Sequence, residues 1–341
     1  MKTHLNTLFV TTEGSYVAKE GEAIIVRRDG EKPFRVPIHM ISSVVCLGQV
    51  GMSPAAMALC ANRSVAISFL TERGRFLAQV NGHTTGNILL RKAQFRSAED
   101  PIRRLDHART FVRAKIHNSR ILILRSVRDH GDAGDRLRQL SDHLQRCLHK
   151  AGTAPDLDTL RGIEGEAARH YFGGFAGLVR QPDPAFQTER RSRRPPRDRL
   201  NALLSFLYSL LAADCRAACE TVGLDPQAGF LHADRPGRAG LALDLMEELR
   251  PVIPDRVALS LVNRQQLTPI DFLVEVGGGV RLKDQARKVV LSQYHSRKAE
   301  EIQHPFLKEK VTLGILCLIQ ARLLAKTVRG ELDAYPAYLW R

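Results

Sequence analysis

A change of hydrophobic period near residue 86 restricts the fold more than any other feature of this chain. Upstream, short apolar and β-branched runs alternate with turn residues: THLNTLFV, SYVAKEGEAIIVRRDGEKPFRVPI, ISSVVCLG, VAISFLT and RFLAQVNG. That period, broken at Glu-Gly and Asp-Gly, predicts strands joined by tight turns. SPAAMALCANR interrupts them as a short helix, with Ser53 as N-cap and Pro54 in its first turn. Downstream, apolar residues recur every three or four positions. DPIRRLDHARTFVRAKIHNSRILILRSVR predicts a long amphipathic helix opened by Asp100-Pro101, and GDRLRQLSDHLQRCLHKAG a second closed by Gly152. Further helices are expected at about 156–175, 198–221, 241–249, 284–303 and 308–328, with one hairpin, DFLVEVGGGVRLK, turning at Gly277–Gly279. The expected class is therefore α+β: a β-rich, sandwich-like domain over residues 1–85, then a mainly α-helical domain over 86–341.

The 341 residues carry a net charge of +15. Residues 1–85 hold nine Lys/Arg against six Asp/Glu, so +12 of that excess belongs to the helical part. An excess of this size favours a polyanion, of which nucleic acid is the commonest; a basic surface kept for solubility is the alternative. No apolar run approaches the length of a membrane span, and no signal peptide is visible. The six cysteines contain no CxxC, which reads as reduced thiols in a cytoplasmic protein; Cys215 and Cys219, four apart, read as small core residues.

Three places carry candidate chemistry. In QPDPAFQTERRSRRPPRDRL, Pro195 and Pro196 forbid helix, and Arg190, Arg191, Arg193 and Arg194 suit phosphate contacts, or else a solvated loop. In LRGIEGEAARHYFGGF, helical geometry puts Leu160, Ile163, Ala167, Ala168, Tyr171 and Phe172 on one arc, and Glu164 falls inside it. A carboxylate there needs an ion-pair partner, a proton or a cation. Gly162 and Gly165 flank it, suggesting close packing against that turn. In GFLHADRPGRAGLALDLMEELRP, His232 and a loop with Arg235 and Arg238 precede a helix bearing Asp244, Glu247 and Glu248. Those acids form either a solvated face or oxygen ligands for a hard divalent ion, Mg²⁺ or Mn²⁺, with the histidine favouring Mn²⁺.

Taken together and in order, LRGIEGEAARHYF, RDRLNALLSFLYSLL and GFLHADRPGRAGLALDLMEELRP resemble the motifs of the CRISPR-associated integrase and endonuclease family of the spacer-acquisition (adaptation) module. The likeness extends to GRFLAQVNG and GNILLRKAQFR, and so over nearly the whole chain. It implies an N-terminal β-domain, a helical catalytic domain, and metal-dependent cutting and joining of double-stranded DNA to insert foreign fragments into a CRISPR array. It also implies a homodimer that works with the small second subunit of the adaptation complex. The family's catalytic metal ligands fall on Glu164, His232 and Glu247, the last a longer form of the aspartate many members carry. Asp244 matches a further acid of the family site. Glu248 has no counterpart and is expected to be solvated. Tyr208 reads as core packing, and Asn201 has no assigned role.

Overall fold

The computed structural model describes residues 6–72, 74–80, 82, 88–131, 135–181, 183–188 and 191–341. The chain divides into two compact units, Met1–Gly86 and Asn87–Arg341.

The first unit holds two four-stranded sheets. In one, β1 (Asn6–Val10), β5 (Ile41–Leu47) and β7 (Ala66–Leu70) run parallel, and β8 (Phe76–Val80) closes the edge antiparallel to β7. In the other, β2 (Tyr16–Glu20), β3 (Ala23–Arg27) and β4 (Phe34–Pro37) form an antiparallel meander, with the short β6 (Gly51–Met52) parallel to β2. Glu20 pairs with Ala23, so the β2–β3 turn has only two residues, and Gly21 takes the positive φ of 58° that it needs. The helix α1 (Pro54–Asn62) is capped by Ser53, whose Oγ accepts the Ala56 N–H at 3.2 Å. Val17, Ile24, Val44, Cys46, Cys60 and Ile67 share one buried core.

The second unit is mainly helical: α2 (Ile88–Glu99), α3 (Pro101–His130), α4 (Arg136–Gly152), α5 (Leu157–Phe175), α6 (Arg199–Val222), α7 (Gly240–Leu249), α8 (Arg256–Asn263), then α9 (Asp284–Ala299) and α10 (Leu316–Val328). Asp100 caps α3 by accepting the Ile102 and Arg103 N–H groups, and Asp156 and Asp198 cap α5 and α6 in the same way. Helix α4 packs against both α3 and α5, and α7 against α3 and α6. By length and composition α6 could cross a membrane, but 67% of its most apolar window is buried, as in a core helix. Cys215 and Cys219 are buried core residues.

Two local expectations are corrected, and one turn is added. Gly152 is the last helical residue of α4 rather than its stop, and Thr153 caps it. Residues Pro251–Asp255 add a π-helical turn between α7 and α8. The expected hairpin is present as β9 (Phe272–Val274) and β10 (Val280–Leu282), but a second one, β11 (Glu301–Gln303) with β12 (Lys310–Thr312), lies where helix was expected.

Candidate active site

Helix α7 is buried on nearly every side, so its three acids do not form a solvated face: Asp244, Glu247 and Glu248 are all buried. Each has a different set of partners. The Asp244 carboxylate is filled by the segment just before α7. Its Oδ2 accepts the N–H groups of Phe230 (2.6 Å) and Leu231 (3.0 Å), and its Oδ1 those of His232 (3.1 Å) and the His232 ring Nδ1 (2.5 Å). The other side of that segment is tied as firmly. Arg104 donates to the Phe230 carbonyl at 2.9 Å, and Arg161 of α5 donates twice to the Leu231 carbonyl at 3.0 and 2.8 Å. Gly229 permits this wrap, since a Cβ there would lie 2.6 Å from the Gly240 carbonyl carbon and 2.9 Å from Asp244 Oδ2. With Nδ1 held by Asp244, the imidazole turns its Nε2 outward.

Glu247 faces that Nε2, with its Oε1 at 3.9 Å. The same oxygen meets Arg250 at 3.1 Å, and Oε2 lies 2.7 Å from Lys115 Nζ of α3. Oε2 is buried, and the Lys115 ammonium is its charged partner. Burial works to raise the Glu247 pKa, but Arg250, Lys115 and His232 outweigh it and hold the carboxyl well below its usual range. Lys115 also bonds Glu164 Oε1 from α5. The Lys115 ammonium thus bridges the Glu164 and Glu247 carboxylates, while the imidazole faces the other Glu247 oxygen from the opposite side of the same cavity. Two carboxylates beside an outward-facing imidazole nitrogen are a donor set that fits a divalent cation.

These groups open into a cavity of about 410 Å³, walled by Lys115, Arg161, Arg193, Arg235, Arg238 and Arg250. Six cations surround two carboxylates there, which suits a polyanionic ligand.

Glu248 departs from the expected solvated role. It is fully buried and accepts hydrogen bonds from the Tyr335 hydroxyl, the Gln320 amide and the Tyr338 N–H. Burial raises its pKa to about 7 despite those donors. Arg191 also departs: its guanidinium turns inward to Asn201 Oδ1 (2.6 Å) and Ser205 Oγ (3.0 Å), and burial lowers its pKa to about 10. Asn201 is therefore a link between the arginine loop and α6. Arg193 and Arg194 stay exposed, and Arg190 lies outside the described residues. Tyr208 is buried as expected. Its ring lies under the Arg250 guanidinium at 5.0 Å, and its hydroxyl donates to Asp255 at 2.6 Å. Gly162 and Gly165 do not mark close packing among the described residues, since a Cβ at either would meet none of them within 4 Å.

Sequence reasoning passed over Lys115 and Arg250. Lys115 had a signal, since it interrupts the buried face of α3 just as Glu164 interrupts that of α5. Arg250 is three residues past Glu247 on the same helical path.

The family model described as CRISPR associated protein Cas1 matches residues 8–296. The chain belongs to the Cas1 family. A CRISPR-associated endonuclease Cas1 from Chlorobaculum tepidum is 50% identical over 343 residues, covering the whole of both chains. Another Cas1 endonuclease, from Rhodospirillum rubrum, is 51% identical over 347 residues with the same full coverage. Among solved structures, a casposase bound to integration product shares the fold at a TM-score of 0.83 and 23% identity, covering 98% of this chain and 94% of that one. The α+β arrangement read from the change of period is thus that of Cas1 proteins.

Proposed function

We propose that the cleft is a divalent-metal-dependent phosphodiester centre at which this Cas1-family protein cuts and joins DNA. Family membership makes the chain a nuclease of CRISPR adaptation, which inserts new spacers. One observation supports the metal reading: Glu164 and Glu247 already share one cation, the Lys115 ammonium, and His232 Nε2 lies 3.9 Å from the second Glu247 oxygen. In this reading those three side chains hold the metal, Mg²⁺ or Mn²⁺, and the imidazole favours Mn²⁺. A bound divalent ion supplies Lewis-acid polarisation of a phosphoryl oxygen and steadies the attacking or leaving oxygen.

The remaining residues have distinct work. In this reading Asp244 is a positioning residue rather than the further ligand the resemblance implies: its carboxylate meets the 230–232 backbone and His232 Nδ1, and so holds the imidazole's direction. Arg193, Arg235 and Arg238 grip phosphates at the rim. Arg161 holds the His232 loop onto the helix that carries Glu164. The glycine-bare surface of α5 beside Glu164 leaves room for a sugar-phosphate backbone to approach. The 3′-oxygen of the incoming fragment then attacks phosphorus in the array. The array's own P–O3′ bond breaks, and the released 3′-oxygen takes up a proton. Cavity walls that fix both DNA strands turn this into a reaction of neighbours. Water in place of the 3′-hydroxyl gives cleavage from the same groups.

A cytoplasmic homodimer working with the small second subunit of the adaptation complex, on double-stranded fragment and array DNA, completes the proposal. The test is purified protein with that subunit, array-mimic and branched DNA, and Mg²⁺ or Mn²⁺. Glu164→Ala abolishes cutting and joining while DNA binding is kept. Undiminished activity in Glu164→Ala removes the assignment, and hydrolysis that never leads to joining replaces the integrase by a repair nuclease.

A further inference from the structure

A second group of ligand-type side chains lies between α4 and α5, away from the active-site cleft. Glu166 stands two residues, or roughly 200°, around α5 from Glu164, so it faces the opposite way. His170 follows one turn later on the same face, and His143 stands opposite on α4. One donor atom from each of His143, Glu166 and His170 lies within 4.8 Å of the other two. His143 Nε2 is 3.1 Å from Glu166 Oε1, yet it is closed off from water and makes no hydrogen bond among the described residues. The two imidazole rings stack with centroids 3.7 Å apart.

Leaving a shielded imidazole nitrogen without a hydrogen bond forfeits a group that proteins ordinarily satisfy. A ligated metal ion satisfies it. We propose that His143, Glu166 and His170 form a site for a borderline transition ion of the Zn²⁺ class, clasping α4 to α5.

Two imidazoles and one carboxylate make a three-ligand set that such an ion accepts, with water in the fourth position. Around a tetrahedral Zn²⁺, donors at about 2.0–2.1 Å sit roughly 3.3 Å apart, so small side-chain rotations close the present spacing. Nitrogen donors set the site apart from one for Mg²⁺, which prefers oxygen. Lys150 lies 3.7 Å from Glu166 Oε2 on the exposed side and yields to the ion at little cost. The Cys147 thiol sits one turn beyond His143, but burial and the Glu166 carboxylate push its pKa up, so it stays protonated and is not counted as a ligand. Ligands from facing helices are a familiar way to lock a helical pair. Its Glu166 lies two residues from Glu164, so the lock steadies the helix that presents Glu164.

The test uses the full chain with His232→Ala, which disables the active-site donor set, and Co²⁺ as a spectroscopic probe for Zn²⁺. His232→Ala is expected to bind one Co²⁺ with a tetrahedral visible spectrum, and Zn²⁺ is expected to raise its melting temperature. Adding His143→Ala and His170→Ala removes both effects. Glu166→Gln, a milder change in the same background, weakens Zn²⁺ binding about tenfold or more, on the scale at which even outer-shell losses act. A folded His232→Ala protein that binds no Co²⁺ overturns the proposal. So does a Co²⁺ spectrum that persists without the two histidines, or unchanged Zn²⁺ affinity in Glu166→Gln.

Discussion

Replacing Lys115 with methionine keeps the apolar stem and removes only the charge that joins Glu164 to Glu247. The ammonium lies 2.7 Å from Glu247 Oε2, and both of those side chains are almost wholly buried. At an effective dielectric near 20, one such pair is worth about 6 kcal/mol before desolvation is subtracted. Stripping one partner from a buried pair has a net cost of about 3–5 kcal/mol. Arg250 still faces Glu247 at 3.1 Å, and Glu164 is a quarter exposed and partly screened, which places Lys115→Met near the lower end, about 3 kcal/mol. In a unit of this size, about 1 kcal/mol moves the melting temperature roughly 2–4 °C, so the metal-free variant melts about 6–12 °C below wild type. Saturating Mn²⁺ meets the same two carboxylates and recovers more than half of that deficit. Mn²⁺ also binds the variant more tightly, because no resident cation has to be displaced. Thermal unfolding followed by circular dichroism in EDTA and in Mn²⁺, with calorimetric titration of the ion, reads both effects. A deficit of equal size with and without Mn²⁺, or Mn²⁺ affinity no higher than wild type, refutes the reasoning.

Other substitutions separate the roles assigned to neighbouring groups. Asp244→Ala strands three buried N–H groups and releases His232, and is expected to cost about 2–4 kcal/mol and at least tenfold in Mn²⁺ affinity; calorimetry showing wild-type affinity in a folded variant opposes the positioning role. Arg191→Ala lowers the melting temperature but leaves the salt dependence of DNA binding alone, whereas Arg193→Ala or Arg235→Ala each reduces the salt slope by about one; the reverse pattern would return Arg191 to the DNA surface. Asp255, buried beneath the Tyr171 and Tyr208 hydroxyls, has its pKa raised by burial to about 6. Because the folded value lies above the unfolded one, its protonated form favours the fold, and stability is lost as pH rises from about 4 through 6, by on the order of 3 kcal/mol. Chemical denaturation across that range should show Asp255→Asn lacking this decline, and parallel curves for the two proteins would speak against it.

Much of this was legible from residue order alone, and what was not has identifiable physical causes. The entry of α3 at Asp100-Pro101 and that of α1 at Ser53-Pro54 follow from local capping chemistry, which needs no tertiary information. The segment 300–312 has the charged composition of a helix, yet it forms a hairpin. Its turn is organised by the buried His304, whose Nδ1 accepts the Phe306 and Leu307 N–H groups while Nε2 meets Gln320. That is tertiary context overriding propensity. Glu248 departs from its expected solvated role for a related reason. The spacing of the α7 acids is that of a solvated face, and the donors that bury Glu248 come from Gln320, Tyr335 and Tyr338, more than seventy positions away. Within the site, Glu164 could be singled out because a carboxylate on an apolar arc demands compensation. Its partner proved to be a lysine on α3 bearing the same irregularity, so two misplaced charges on two helices announced one contact.

The central claim is that Glu164, His232 and Glu247 surround one divalent ion at the point where the Lys115 ammonium stands. Crystals grown with Mn²⁺ and measured at its absorption edge test it most directly. The account predicts one anomalous peak within coordination distance of both carboxylates and of His232 Nε2, with Lys115 displaced and Asp244 still bound to Nδ1. A peak that leaves any of those three side chains outside coordination distance, or an ion-free site at saturating Mn²⁺ with Lys115 unmoved, would contradict it.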